Sequence, residues 1–162
     1  MSTYDKILVV DDDDALRETI VNILEGEGYV LDVARNGLEA AMKLKNNVYN
    51  LVLLDIKLPD ITGIELLSKI NSYTPKTKKI IFTGFPDTET AIKSVNEKAD
   101  AYLIKPFDPE KLIEVISQNL KQQREDLKYT QEKVLEYIRN RVRELDEGPI
   151  SKDSGQLQSQ YK

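Results

Sequence analysis

The 162-residue chain contains no histidine and no cysteine. Without cysteine it can form neither a disulfide nor a thiolate metal site, and it does not require an oxidising compartment. Without histidine it lacks the commonest general base, the commonest transition-metal ligand and any histidine of its own to phosphorylate. Any chemistry must therefore come from carboxylates, hydroxyls, amines and backbone oxygens.

Long apolar runs and an excess of positive charge are also missing. The first apolar run, Ile7–Val10, is far too short for a signal peptide or a membrane span, so a cytoplasmic protein with no membrane partner is expected. The net charge of −5 argues against direct nucleic-acid binding. Hydrophobic residues make up 40% of the chain and charged residues 31%, which is enough to build one domain with a core.

Short apolar runs alternate with stretches of helical spacing. The predicted strands are Lys6–Val10, Val30–Ala34, Leu51–Asp55, Lys79–Thr83 and Asp100–Ile104. The apolar helix faces predicted after them are Leu16, Ile20, Ile23 and Leu24; Leu38, Ala41, Met42 and Leu44; Ile64, Leu67 and Ile70; Ala91, Ile92 and Val95; and Leu112, Ile113, Val115, Ile116 and Leu120. Five strand–helix units in strict alternation predict an α/β domain with a parallel sheet between two helical layers.

The composition changes after Leu120. Residues 121–147 lack glycine and proline, balance their charges and carry a narrow apolar stripe, which predicts a helical extension or linker. The stripe spans too few heptads to assign a coiled coil, so a dimer coil, a linker and a helix folded back on its own domain all stay open. Residues 148–162 are predicted to be a disordered tail. The domain itself is assigned to residues 1–120.

Chemically distinctive residues lie at the carboxyl ends of four of the predicted strands: Asp11 and Asp12, Asp55, Thr83 and Lys105. Each has a structural explanation when taken alone, because an aspartate after a strand is often a helix cap and a lone threonine is usually structural. Right-handed crossovers, however, bring the carboxyl ends of all five strands to one edge of the sheet. We therefore expect these residues to lie together there.

Three carboxylates at one edge repel one another unless a cation neutralises them. With neither histidine nor cysteine available, a hard divalent ion, Mg²⁺ or Mn²⁺, fits the oxygen donors. Together with the metal, the Lys105 ammonium and the Thr83 hydroxyl suit an incoming phosphoryl group, with Asp55 as the nucleophile.

Four stretches carry a family resemblance: ILVVDDD (Ile7–Asp13), LVLLDIKLPDITGIELL (Leu51–Leu67), IIFTG (Ile80–Gly84) and AYLIKPF (Ala101–Phe107). Through them the chain resembles the receiver domain of two-component response regulators, from about Lys6 to Leu120. The resemblance implies a flavodoxin-like doubly wound fold with strand order 2-1-3-4-5. It also implies a phosphoacceptor signalling domain in a phosphorelay, one that catalyses only its own phosphorylation and dephosphorylation.

The resemblance implies a role for each site residue. Asp55 is the phosphoacceptor and also a metal ligand. Asp12 ligates Mg²⁺ directly, Asp11 largely through water, and Lys57 through its backbone carbonyl. The residues assigned to the phosphoryl group and the switch are Thr83, Lys105 and Tyr102, and the peptide bond before Pro106 is expected to be cis. Lys57 and Phe85 occupy positions that tune dephosphorylation, and bulky Phe85 is expected to slow it.

The implied partners are a sensor histidine kinase and a downstream protein, or a second phosphorylated copy of the chain. The signalling face is made of Asp87–Lys98, Asp100–Ile104 and the last helix. A receiver fragment of a longer regulator and a phosphorylation-independent pseudo-receiver stay open as alternatives. A dehalogenase-type phosphatase is remote because Lys57 stands where its second aspartate belongs, and a flavodoxin-like carrier is remote because aspartates follow the first strand.

Overall fold

A computed structural model describes residues 5–84 and 87–148 of the chain, but not the side chains of Thr88 and Val95. Its elements, in chain order, are β1 (Lys6–Val10), α1 (Asp14–Gly26), β2 (Val30–Ala34), α2 (Gly37–Asn46), β3 (Leu51–Asp55), α3 (Gly63–Tyr73), β4 (Lys78–Thr83), α4 (Thr88–Asn96), β5 (Ala101–Ile104) and α5 (Pro109–Asp146). The five strands form one parallel sheet in the order β2-β1-β3-β4-β5, which confirms the predicted fold.

The chain divides after Gln123 into two compact units. In the first unit, alternate strand residues enter two apolar clusters, one on each face of the sheet. On one face, residues of α1 and α5 pack against Ile7, Val9, Leu53 and Phe82. On the other face, residues of α2 and α3 pack against Leu8, Val10, Leu54 and Ile81. Burial on both faces is the reason that the central strands are uninterrupted apolar runs.

The apolar face predicted for α2 was wrong at Leu38 and Met42 but right at Leu44, and Ala41 is partly buried against the core. Leu38 is 66% exposed and Met42 59% exposed, whereas Ala40 and Leu44 lie in the core. The cause is the close approach of the helix start to the loop after β3. A Cβ added at Gly37 would lie 2.3 Å from Cγ1 of Ile61. The start of this helix therefore turns small residues inward, and Leu38 and Met42 face solvent.

Two smaller differences concern α4 and β5. Ile92 of α4 is 55% exposed, while Ser94 is buried and bonds back to the Thr90 carbonyl at 2.9 Å, so the predicted inward position of Ile92 was also wrong. The side chain of Val95, assigned to the same face, lies outside the described residues. Strand β5 begins at Ala101, one residue later than predicted, and the backbone N–H of Asp100 bonds to the carbonyl of Lys79 in β4 at 2.8 Å.

The second unit contains the remainder of α5, which runs unbroken to Asp146. Residues 128–147 are exposed, and Leu127 is half-buried. Residues 149–162, most of the predicted tail, lie outside the described residues. Within the described ranges, no helix is both long enough and apolar enough to cross a bilayer.

Candidate functional site

The predicted site residues meet at the carboxyl edge of the sheet, where the parallel strands end. Asp11 follows β1, Asp55 is the last residue of β3 and Thr83 is the last residue of β4. One oxygen from each of Asp11, Asp12 and Asp55 lies within 4.8 Å of the others. Because the strands are parallel, residues 44 positions apart in sequence become neighbours.

Asp11 is fully buried, and its contacts hold it rigidly. Its Oδ1 accepts a hydrogen bond from the backbone N–H of Asp13 at 2.9 Å, and its carbonyl accepts one from Nη1 of Arg17 at 2.6 Å. Burial raises the pKa of Asp11, although hydrogen bonds from Lys105 and Asp13 oppose the rise. Arg17 also pairs with Asp14. The sequence pattern did not single out Arg17, because the prediction for α1 was based on the apolar residues of that helix.

Asp55 is 6% exposed and lies between its strand and a tightly packed loop. Its Oδ1 accepts a hydrogen bond from the backbone N–H of Lys57 at 3.2 Å. Gly63, which begins α3, is so close that a Cβ there would lie 2.3 Å from the Asp55 carbonyl oxygen. The glycine thus lets the loop return directly beneath the carboxylate.

Lys105 connects the two buried carboxylates. Its Nζ lies 2.8 Å from Oδ2 of Asp11 and 3.0 Å from Oδ2 of Asp55, and it sits 4.5 Å from the centroid of the Phe82 ring. Burial acts to lower the pKa of Lys105, but its hydrogen bonds to the two carboxylates outweigh burial and raise it. The ammonium therefore stays charged. Its peptide bond with Pro106 is cis, the isomer that the resemblance implies.

The ionised cluster is negative overall, since three carboxylates and one ammonium sum to −2 (−3 + 1). Oxygen ligands of Mg²⁺ lie about 2.1 Å from the ion, so ligands on opposite sides of it are about 4.2 Å apart. A slight contraction of the cluster, or a water between one carboxylate and the ion, would reach that size. The donor set therefore fits Mg²⁺ or Mn²⁺ in charge, size and chemistry.

The predicted switch residues lie on the neighbouring strands. Thr83 is 1% exposed, and its carbonyl accepts a hydrogen bond from the backbone N–H of Lys105 at 2.7 Å. The hydroxyl of Tyr102 is buried without a hydrogen-bond partner among the described residues, and this burial raises its pKa. Phe85, assigned to dephosphorylation, lies outside the described residues.

Asp60 has a role that its place in a turn did not indicate. Its Oδ1 accepts a hydrogen bond from the backbone N–H of Gly37 and its Oδ2 one from that of Leu38, each at 2.8 Å. The carboxylate thereby ties the loop after Asp55 to the start of α2. The hydrogen bond from Gly37 is the main reason that the pKa of Asp60 is lowered. A contact across 23 residues leaves no signal in the local pattern.

The family model of the response regulator receiver domain matches residues 7–117. The transcriptional regulatory protein ZraR of Klebsiella oxytoca is 39% identical over 114 residues, which cover 70% of this chain but 26% of that protein. The chain thus spans about a quarter of the length of this curated relative.

Two solved structures are similar to more than two thirds of the chain. A CheY-like response regulator receiver domain protein from Methanospirillum hungatei has a TM-score of 0.75 and 42% identity, covering 76% of this chain and 98% of that one. The response regulator TrrA from Thermotoga maritima, solved in complex with Mg(2+)-BeF, has a TM-score of 0.66 and 36% identity, covering 71% and 98%.

Proposed function

The chain belongs to the receiver domain family of two-component response regulators, and we propose that Asp55 is its phosphoacceptor. The donor is a phosphohistidine on a sensor histidine kinase, and the reaction uses Mg²⁺ held by Asp11, Asp12, Asp55 and the backbone carbonyl of Lys57. The domain acts as a signalling switch, and its only catalysis is of its own phosphorylation and dephosphorylation.

The observation that carries this proposal is the position of the Lys105 ammonium. It contacts Asp11 and Asp55 at 2.8 and 3.0 Å, at the mouth of a carboxylate cluster that retains negative charge. A purely structural ion pair would need only one carboxylate. Three carboxylates around one ammonium favour a site that takes up further positive charge and then a phosphoryl group.

In the proposed transfer, an Asp55 carboxylate oxygen attacks the phosphorus atom. The P–N bond to the donor imidazole breaks, its electron pair returns to the ring nitrogen, and an aspartyl phosphate forms. When bound, the divalent ion would neutralise charge on the phosphoryl oxygens. Lys105 would donate a hydrogen bond to one phosphoryl oxygen as it releases part of its contact with Asp55. The Thr83 hydroxyl would donate a hydrogen bond to another phosphoryl oxygen.

The proposed output is a change in population of two arrangements of the face formed by α4, β5 and the start of α5. Thr83 moves toward the phosphoryl group, and Tyr102, whose hydroxyl has no partner in the described structure, rotates inward. Ile92 and Ile104 expose more than half of their surface on this face, at 55% and 51%. A downstream protein or a second copy of the domain would read the change.

The test is intact mass after incubation with Mg²⁺ and a small acyl-phosphate donor. We expect one phosphoryl adduct on the wild type and none on Asp55→Asn. Asp100→Asn, which changes a carboxylate at the opposite edge of the sheet, is the matched control and should keep the adduct. Absence of an adduct on correctly folded wild-type protein would favour a phosphorylation-independent receiver instead.

The same measurement tests the proposed roles of Lys57 and Phe85 in dephosphorylation. Both positions lie two residues after a site residue, Asp55 and Thr83 respectively. If bulky Phe85 shields the acyl phosphate from water, the adduct on Phe85→Ala will decay faster than on the wild type. Equal or slower decay in the variant would contradict shielding.

A further inference from the structure

The second unit exposes an apolar stripe that the proposed phosphotransfer does not use. Leu135, Ile138, Val142 and Leu145 of α5 are each at least 50% exposed. Tyr129 and Tyr137 are also exposed but lie on other sides of the helix. These four residues are called the seam below. Their spacing of three, four and three residues matches consecutive a and d positions of a heptad repeat.

The seam is narrow enough to be covered by one neighbouring helix. At 100° per residue its four side chains fall within an arc of about 80°. By the same rotation Tyr129 lies on the opposite side. A helix of this length without packing is only marginally stable in water, and its ion pairs within the chain, such as Lys133–Glu136 at 3.7 Å, are exposed and contribute little. The seam thus offers this unit a source of stability that requires a partner.

We propose that the seam pairs with the same seam of a second copy of this chain, as a short parallel two-stranded coiled coil. The second heptad has Val142 at a and Leu145 at d, the combination that favours two strands in a parallel coil. The first has Leu135 at a and Ile138 at d, a combination that by itself favours three or four strands, so the choice of two strands rests on the second heptad and is tested by the mass from light scattering. Polar Lys128 and Gln131 occupy the preceding a and d positions, so the paired segment begins near residue 134.

The charges beside the seam favour the parallel orientation. In a parallel pair, a g residue faces the e residue five positions later in the partner, which places Arg141 beside Asp146 of the other copy. In the antiparallel alignment that matches the seam with itself, e faces e and g faces g. Arg139 would then face Arg139, and Arg141 would face Arg141. Opposite charges in one orientation and repulsion in the other select the parallel dimer.

The seam spans only two heptads, so the dimer is expected to be weak and to depend on concentration. This association does not require phosphorylation of Asp55, and its failure would leave the proposed phosphotransfer untouched. The expected mass of the dimer is twice the 18.5 kDa of the chain.

The first experiment is light scattering of the full chain over a concentration series. The wild type should approach twice the monomer mass, Ile138→Asp should stay monomeric, and Tyr129→Asp should behave as the wild type. The two variants place the same charged residue inside the same exposed helix. A wild type that is monomeric at every concentration, or a Tyr129→Asp that dissociates equally, would overturn the proposal, as would a mass above the dimer.

The second experiment uses the absence of cysteine from the chain. Under mild oxidation, Ile138→Cys should form a covalent dimer and Tyr129→Cys should not, because only a parallel seam brings residue 138 next to its own copy. A mixture of Leu135→Cys and Leu145→Cys chains tests the orientation. Preferential formation of the mixed disulfide would indicate an antiparallel pair and overturn the proposed arrangement. Equal cross-linking of Ile138→Cys and Tyr129→Cys would overturn the seam itself.

Discussion

The two edges of the five-stranded sheet hold buried polar side chains in opposite ways. At the carboxyl edge, Asp11 and Asp55 share one ammonium and retain excess negative charge. At the amino edge, neutral amides form a closed network. Nε2 of Gln123 donates to the carbonyls of Asn50 and Lys76, each at 2.8 Å, and Oδ1 of Asn50 accepts from the backbone N–H of Lys6 at 2.8 Å.

A buried lysine at each edge shows the same contrast. Lys105 has its pKa raised because hydrogen bonds to two carboxylates outweigh its burial. Lys79, at the amino end of β4, has its pKa lowered because burial dominates, and among the described residues its Nζ donates a hydrogen bond to the Pro75 carbonyl alone, at 3.3 Å. One edge is arranged to hold cations, whereas the other pairs its polar groups internally. The first is suited to chemistry and the second to stability.

The largest effect is expected from Lys105→Met, which keeps the packing on Phe82 but removes the charge. We expect phosphorylation of Asp55 to slow by about 100-fold or more, because a preorganised charge on the transferring group is lost. The free energy of unfolding should fall by about 1–3 kcal/mol, since two buried carboxylates lose a donor. Added Mg²⁺ should restore part of that stability. Mass spectrometry follows the first effect, and denaturant unfolding with and without Mg²⁺ follows the second.

Lys79→Met is the control for that prediction, because it removes a buried ammonium from the opposite edge. It should leave the phosphorylation rate unchanged and give no dependence of stability on Mg²⁺ beyond that of the wild type. A similar loss of phosphorylation in both variants would mean that general destabilisation, and not the position of the charge, is responsible.

A smaller effect, of stability alone, is expected from Gln123→Met at the amino edge. The change leaves the Lys76 carbonyl without its amide donor, which should cost about 1–3 kcal/mol of unfolding free energy. Mg²⁺ should stabilise the variant only as much as the wild type, so that the difference between them remains, and the phosphorylation rate should hold. Gln118→Met, on an exposed side of the same helix, is the control and should be nearly neutral. A larger stabilisation of Gln123→Met than of the wild type by Mg²⁺ would contradict the separation of the two edges.

The smallest effect is expected from Asp60→Ala, which cuts the link between the loop after Asp55 and α2. Loss of a capping carboxylate should cost about 1 kcal/mol near neutral pH. Because the pKa of Asp60 is lowered in the folded protein, its contribution is present above the unfolded value of about 4 and is lost as pH falls through the folded pKa. Wild type and variant should therefore converge in acid.

Unfolding curves at a series of pH values check that convergence. Glu18→Ala, an exposed acidic residue of α1, is the control and should show no comparable difference at neutral pH. If the gap between wild type and Asp60→Ala were constant from neutral pH into the acid range, the proposed hydrogen bonds to the carboxylate would not be its cause.

Local patterns were sufficient for the strands and for bringing the carboxylates and Lys105 to one edge of the sheet. A run such as Leu51–Leu54 can only be covered on both faces, and a strand of that kind must deliver Asp55 to the edge of the sheet. The patterns failed at single positions of α2 and α4, although Leu44 was placed correctly. Met42 and Ile92 suit a core by hydrophobicity alone, yet both are exposed. The rotation of a helix about its axis depends on the elements that pack against it. The spacing of apolar residues along the helix carries no information about those elements.

The sequence by itself determined the parallel α/β architecture, the restriction of possible metal ligands to oxygen donors, and the residues at the strand ends. These features follow from short-range order and residue type. Only the tertiary structure decided how those residues are held. Three side chains act through a hydrogen bond to a partner outside their own element. Arg17 bonds to the Asp11 carbonyl, Asp60 to the start of α2 and Gln123 to the amino edge of the sheet. Such contacts depend on how helices and loops settle on the sheet, which is a property of the packed whole.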